Sequence, residues 1–448
     1  MRTNKKLMRI TRRNKRNALK KHKSYKRKFL KSKRSTKRQM KKMMRGGGTG
    51  NVLLIIDPQR DFVETTENPK ASLGVPGAGY DMSKIAEFIK SNIDNLDEIH
   101  VSLDTHTVNH IGHVNFWQKG MAESFDTFLV KPEDPNIYIK TGEDGEPRII
   151  TTTNPDLQEF AYKYIETMQN NKIKYPSKPT PCIWPNHCII DLEHNIASEN
   201  WHVHETLRKV LNEHSNKVFY HEKGTNDLVE MYSIFSAEIP YEDLIKTVTN
   251  SEAIKALYPN YNQNMVITPV QSESSNGNGN TPLNPTRNYK TTFNETLFKR
   301  LMSDNKKVFV CGEAKTHCVK TSLEDMVKQC NNYSYNPRNI FLLDDMTSPI
   351  PVPPIVDAMN ASFDNLKNIG MQIMPSSEFK NKIIETVGPK PTNIPKYIEK
   401  YIPPESQWSK SDIQKAYDNY LSQPKNPREK YVPKQPKRFG PNNGWTPK

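Results

Sequence analysis

Short apolar runs alternate with helically spaced segments through most of this chain. Residues 52–56, 98–103, 217–221, 308–311, 340–343 and 372–374 read as strands. Between them, residues 85–93, 241–248, 319–330 and 355–369 repeat apolar side chains at intervals of three and four, the spacing of a helix with one buried face. The alternation implies βαβ units, a parallel sheet and right-handed crossovers, with helices on both faces. The expectation is a three-layer α/β/α fold around a six-stranded, mainly parallel sheet. In such sheets binding sites form beyond the carboxyl ends of the strands.

Two stretches break the alternation. Residues 115–180 are too long for a plain crossover and read as a lid or small subdomain. Residues 251–290 hold the polar run Gln271-Ser272-Glu273-Ser274-Ser275-Asn276-Gly277-Asn278 and read as a disordered or surface insertion. The expected organisation is a basic arm and glycine joint at 1–50, a catalytic domain at 51–387 with insertions at about 115–180 and 251–290, and a Pro/Lys-rich tail at 388–448.

Charge is unevenly spread. The first 45 residues contain 22 Lys and Arg and no Asp or Glu, whereas the remainder has 43 basic and 49 acidic residues. The formal charge of +16 therefore belongs to the arm and not to the folded body. Such an arm suits nucleic acid through phosphate contacts, or an import receptor and a nuclear location. Five cysteines, an odd and small number, fit free thiols in a reducing, intracellular compartment better than a disulfide framework. No apolar run is long enough for a membrane span, so no membrane partner is expected.

Candidate chemistry lies at the strand ends. Asp57 closes the first strand in Leu53-Leu54-Ile55-Ile56-Asp57-Pro58-Gln59-Arg60-Asp61-Phe62, where partial desolvation raises a carboxyl pKa and suits a general base. Asp104 and His106 close the second, with His110 and His113 beyond. A carboxylate and an imidazole two residues apart suit Zn, Fe or Mn, and His187, in Trp184-Pro185-Asn186-His187-Cys188, offers a third ligand. Lys223 ends the third strand and suits holding a thiolate and a carboxylate in charged form. Cys318 follows a strand and a glycine turn, in Val310-Cys311-Gly312-Glu313-Ala314-Lys315-Thr316-His317-Cys318, where a helix begins. Unpaired N–H groups and the helix dipole are expected to favour its thiolate. Cys182 and Cys188 have no zinc-clip spacing and read as structural.

These motifs together resemble the isochorismatase-like cysteine hydrolases, and within them the nicotinamidases, over roughly residues 51–115, 181–240 and 305–380. The resemblance implies catalytic Asp57, Lys223 and Cys318, an oxyanion hole from the N–H groups of Ala314 and Cys318, a cis peptide at Glu313-Ala314, and metal ligands Asp104, His106 and His187. It also implies that Phe62 and Trp184 sandwich a substrate ring, that one divalent metal, zinc before iron or manganese, is bound, and that nicotinamide is hydrolysed to nicotinate and ammonia through a thioester. A homo-oligomer is an open expectation. Lys315 and His317 depart from the family pattern beside the nucleophile. Two other readings stay open: a related hydrolase of small amides or ureides, and a nucleic-acid-associated protein that keeps an enzyme fold.

Overall fold

The computed structural model describes residues 50–63, 71–117, 138–140, 147–149, 152–174, 183–194, 196–262, 270–271, 281, 289–385 and 387–391. The basic arm, Cys182 and nearly all of the C-terminal tail lie outside them.

Six parallel strands form the sheet. They are β1 (Asn51–Ile56), β2 (Glu98–Asp104), β3 (Val218–Lys223), β5 (Lys307–Gly312), β6 (Ile340–Leu343) and β7 (Gln372–Met374). A two-residue strand, β4 (Val270–Gln271), adds to the edge of β3 in the antiparallel sense, giving the order β7-β6-β5-β1-β2-β3-β4. The parallel core agrees with the expectation. The antiparallel edge comes from the stretch read as a disordered or surface insertion, whose Ile254 and Tyr261 are also buried.

Helices cover both faces. α1 (Ala78–Asn92) packs against α3 (Glu205–Glu213), α4 (Glu295–Met302) lies against β5, and α5 (Lys320–Asn332) packs against α6 (Pro353–Ile369). With both faces covered, a central strand has no solvated side, so β5 reads as an apolar run and Val308, Phe309 and Val310 are fully buried. Each such side chain contributes about 1.5–3 kcal/mol relative to an exposed one.

A second apolar cluster lies beside this core. It joins Phe160, Tyr164, Ile165 and Met168 of α2 (Gln158–Lys174) to Tyr241, Leu244, Ile254 and Tyr261. One long stretch therefore supplies a helix with a buried face, packed on segments that follow β3.

β1 runs in the middle, with β2 and β5 on opposite sides. The chain reverses its direction of travel across the sheet at this strand, which opens a crevice beyond the carboxyl ends of β1, β2 and β5. Register sets what faces that crevice. Ile56 pairs with Gly312, and Asp104 pairs with Lys223.

Candidate active site

Cys318 lies in the wide turn Lys315–Val319 that leads into α5. The Glu313–Ala314 peptide before it is cis, as the resemblance implies. Its flanks are pinned: Glu313 N donates to Ile56 O at 2.8 Å and Lys315 N donates to Ser348 O at 2.9 Å. Gly312 has φ 108°, and a Cβ there would sit 2.1 Å from Ile56 O. Only glycine lets β5 turn this tightly against β1.

The thiol meets its partners from β1 and β3. Lys223 Nζ lies 3.7 Å from Cys318 Sγ, 3.0 Å from Asp57 Oδ2 and 2.8 Å from Asp104 Oδ1, and it also donates to Met231 O at 3.0 Å. Asp57 lies beside the thiol and accepts from Ser102 Oγ at 2.6 Å. All three groups are nearly sealed from solvent.

This burial corrects one expectation. Desolvation pushes the Cys318 thiol well up, more than the Lys223 ammonium pulls it down. Burial therefore works against a standing thiolate at this helix terminus. Burial also raises Asp57, against the pull of Lys223 and with the push of Asp104. A carboxylate of raised pKa is the stronger base and suits taking the thiol proton. Burial disfavours the Lys223 ammonium too, but Asp104 and Asp57 outweigh it and hold Lys223 well above its usual range.

Asp104, His106 and His187 converge on the next point along the crevice, their nearest ligand atoms all within 4.8 Å of one another. The hydrogen bonds behind them set their tautomers. His106 Nδ1 is 2.9 Å from Gly224 O, so it carries a proton, and in the neutral ring Nε2 is a lone pair. His187 Nδ1 is 2.8 Å from Pro185 O, with the same consequence. Both Nε2 atoms face Asp104 Oδ2, at 2.9 and 3.3 Å, acceptor against acceptor. His106 Nε2 is buried without a hydrogen-bond partner. One extra proton would relieve one of these contacts, whereas a divalent cation satisfies all three atoms. The residues therefore fit a metal, with each ligating imidazole oriented by a backbone carbonyl.

Gly224 makes room for this set. Its φ is 72°, and a Cβ there would lie 2.5 Å from His106 Cε1 and 3.0 Å from Asp104 Oδ1. His106, His110 and His113 form a second group of suitable spacing. His110 is committed elsewhere, with Nδ1 accepting from Gly112 N at 3.1 Å and Nε2 lying 3.2 Å from Val229 O. The Asp104 set is the better cation site.

The aromatic residues arrive through different neighbours. Phe62 sets its edge on His187, ring centroids 5.5 Å apart, while Trp184 meets His317 at 5.5 Å and donates Nε1–H to Tyr232 OH at 2.9 Å. His317 lies between Trp184 and Tyr232, one residue before Cys318. Lys315 turns away to pair with Asp344 at 2.6 Å.

Several site residues had no role assigned from sequence. Gln59 clamps the Asp104 backbone, accepting from its N–H at 2.6 Å and donating to its carbonyl at 2.7 Å. Asp61 accepts from Cys188 N and Ser72 N and so ties the His187 loop to β1. Ser102 orients Asp57. Glu230 is buried near His106, and its backbone N–H donates to Tyr164 OH of α2 at 3.1 Å, which links the inserted helix to the site. Gln59 and Asp61 stand in the first-strand motif and were visible there. Ser102 and Glu230 carried no local signal.

No family model matches the sequence, and no curated protein matches it. Among solved structures, the chain is similar to the yeast nicotinamidase bound to the inhibitor nicotinaldehyde, at 15% identity and a TM-score of 0.39, over 72% of this chain and 99% of that one. It is also similar to a nicotinamidase/pyrazinamidase of Acinetobacter baumanii, at 14% identity and a TM-score of 0.38, over 74% of this chain and 98% of that one. A third is the Pyrococcus horikoshii pyrazinamidase in complex with zinc, at 15% identity and a TM-score of 0.33, over 72% of this chain and 98% of that one.

Proposed function

We propose that the protein is a metal-assisted cysteine amidohydrolase that converts nicotinamide to nicotinate and ammonia. The observation that carries this reading is the convergence of Cys318, Asp57 and Lys223 beside three lone-pair donors, Asp104, His106 and His187. A divalent metal held by those three residues would supply a Lewis acid for the pyridine nitrogen, directly or through water.

Phe62 and Trp184 bind the ring faces and exclude water. Cys318 gives its proton to Asp57, and its sulfur attacks the carboxamide carbon. Lys223 stays protonated and stabilises the negative charge shared by sulfur and carboxylate. The N–H groups of Ala314 and Cys318 hold the tetrahedral oxyanion. Asp57 returns the proton to the leaving nitrogen, the C–N bond breaks, and ammonia departs. Water then adds to the thioester while Asp57 takes one of its protons. Sulfur leaves and is reprotonated, and nicotinate is released. One water is consumed, and the enzyme returns to its starting state.

Ammonia release from nicotinamide, with and without chelator, tests the reading. Activity lost on chelation and restored by metal supports it. Full activity in Cys318→Ala ends it. A related small amide as substrate would show instead as turnover of non-pyridine amides that chelator leaves intact.

The basic arm carries a separate role, electrostatic attachment to nucleic acid, supported by its 22 basic residues and lack of acidic ones. Binding that falls steeply with salt in the full chain and vanishes on deleting residues 1–45, with amidase activity unchanged, is the expected result.

A further inference from the structure

We propose that His113 is a positioning residue for the metal centre: its imidazole accepts the Nδ1–H of His187 and holds that ring with Nε2 turned toward Asp104. This rests on the metal site of the proposed function.

His113 is fully buried in the loop after β2. Its Nδ1 lies 3.1 Å from Thr107 O, so the ring proton is there and Nε2 is a lone pair. That Nε2 lies 3.2 Å from His187 Nδ1. The same His187 nitrogen is 2.8 Å from Pro185 O. Two acceptors therefore share one N–H. The rings meet at 67° with centroids 4.8 Å apart.

The opposite protonation fails on geometry. A proton on His113 Nε2 would make His187 Nδ1 an acceptor, and it would then face the Pro185 carbonyl as acceptor against acceptor. Turning the His187 ring over would set a C–H against both acceptors. Only one tautomer and one ring orientation satisfy the pair, and that state aims the Nε2 lone pair at Asp104 Oδ2.

The loop beneath His113 is itself fixed to the loop of His187. Trp184 N donates to Gly112 O at 2.7 Å, His113 N donates to His110 O at 2.8 Å, and Trp117 Nε1 donates to Ile111 O at 3.0 Å. Phe62 closes the other side of His187. His113 thus works through His187 and does not reach the substrate.

Removing such an outer partner costs about 10–100-fold in metal affinity. The test is zinc affinity of the metal-free full chain, measured by chelator competition. His113→Phe keeps the ring volume and removes the acceptor, and His113→Gln restores an acceptor oxygen. Zinc binding about 10–100-fold weaker in the Phe variant, with at least partial recovery in the Gln variant, is expected. Nitrogen NMR of the metal-free wild type should show His187 as the Nδ1–H tautomer, which the Pro185 carbonyl still favours in the Phe variant. Equal zinc affinity in wild type and both variants overturns the His113 role alone. A wild type that binds no zinc, iron or manganese overturns the metal reading and this inference with it. If the Phe variant does not fold, the Gln variant and the wild-type tautomer decide.

Discussion

β2 and β3 carry two buried charge clusters on one face, at opposite ends. At the carboxyl end, Asp57, Asp104 and Lys223 meet. At the amino end of β2, Glu98 Oε2 accepts from His100 Nε2 at 2.8 Å and from Arg300 Nε at 3.1 Å, and His100 Nδ1 accepts from His221 Nε2 at 2.8 Å. The two clusters share strands and burial but differ in what they leave over. In the amino-end cluster the acid is surrounded by donors, and both imidazoles stay neutral because burial lowers their pKa. In the carboxyl-end cluster a thiol is left beside a strong base, and two imidazole lone pairs face an acid. Burying charge is thus common to both, and the surplus of acceptors distinguishes the one to which we assign the chemistry.

The comparison breaks most sharply at the nucleophile. Cys318→Ala should abolish ammonia release, and Asp57→Asn should lower kcat about 10²–10⁴-fold with the fold intact by circular dichroism. Activity within tenfold of wild type in Asp57→Asn would remove the base from the mechanism.

Lys223→Met comes next, because it leaves Asp57 and Asp104 as buried like charges. A loss of about 3–5 kcal/mol in denaturant unfolding is expected, together with loss of activity. A variant as stable as wild type would show that Lys223 does not hold the site together.

The amino-end cluster should respond in stability and not in catalysis. Burial works against ionised Glu98, but His100, Arg300 and Lys306 outweigh it and bring its pKa from 4.5 to about 2. A depressed carboxyl stabilises the fold above its unfolded pKa, and the contribution is lost as pH falls from about 4.5 to about 2. The amount is on the order of 3 kcal/mol. Glu98→Gln should flatten that part of the pH–stability curve while kcat at neutral pH stays unchanged. A lowered kcat would connect the two clusters.

Arg300→Ala is the mildest. Arg300 is partly exposed, its guanidinium lying 3.9 Å from the centre of the Phe219 ring as well as beside Glu98. A loss of about 0.5–1 kcal/mol in thermal or denaturant unfolding is expected.

Legibility in the sequence followed locality. The six parallel strands were readable because each holds closely spaced apolar residues, and Asp57, Asp104, Lys223 and Cys318 were readable because each stands at or just beyond a strand end. α2 was missed. Its Phe160, Tyr164, Ile165 and Met168 stand among polar residues, and the cluster they pack into is assembled from distant segments. The antiparallel edge strand is only two residues long and leaves no periodicity to detect. The His100–His221 pair joins residues 121 apart, so nothing local marks it. The thiolate expectation left out burial for a related reason. It weighed the helix start, which is local, and could not weigh burial, which the whole fold decides.

Gln59 carries a consequence for the spacing of the two acids. Parallel strands diverge as the sheet twists, and beyond their last rung nothing in the backbone fixes the gap between neighbours. The Gln59 side chain imitates one more rung, with its carboxamide oxygen and nitrogen taking the N–H and carbonyl of Asp104. It gauges the width of the crevice mouth much as a spacer sets two jaws. Asp57 and Asp104 thereby keep a fixed span that a single ammonium can bridge.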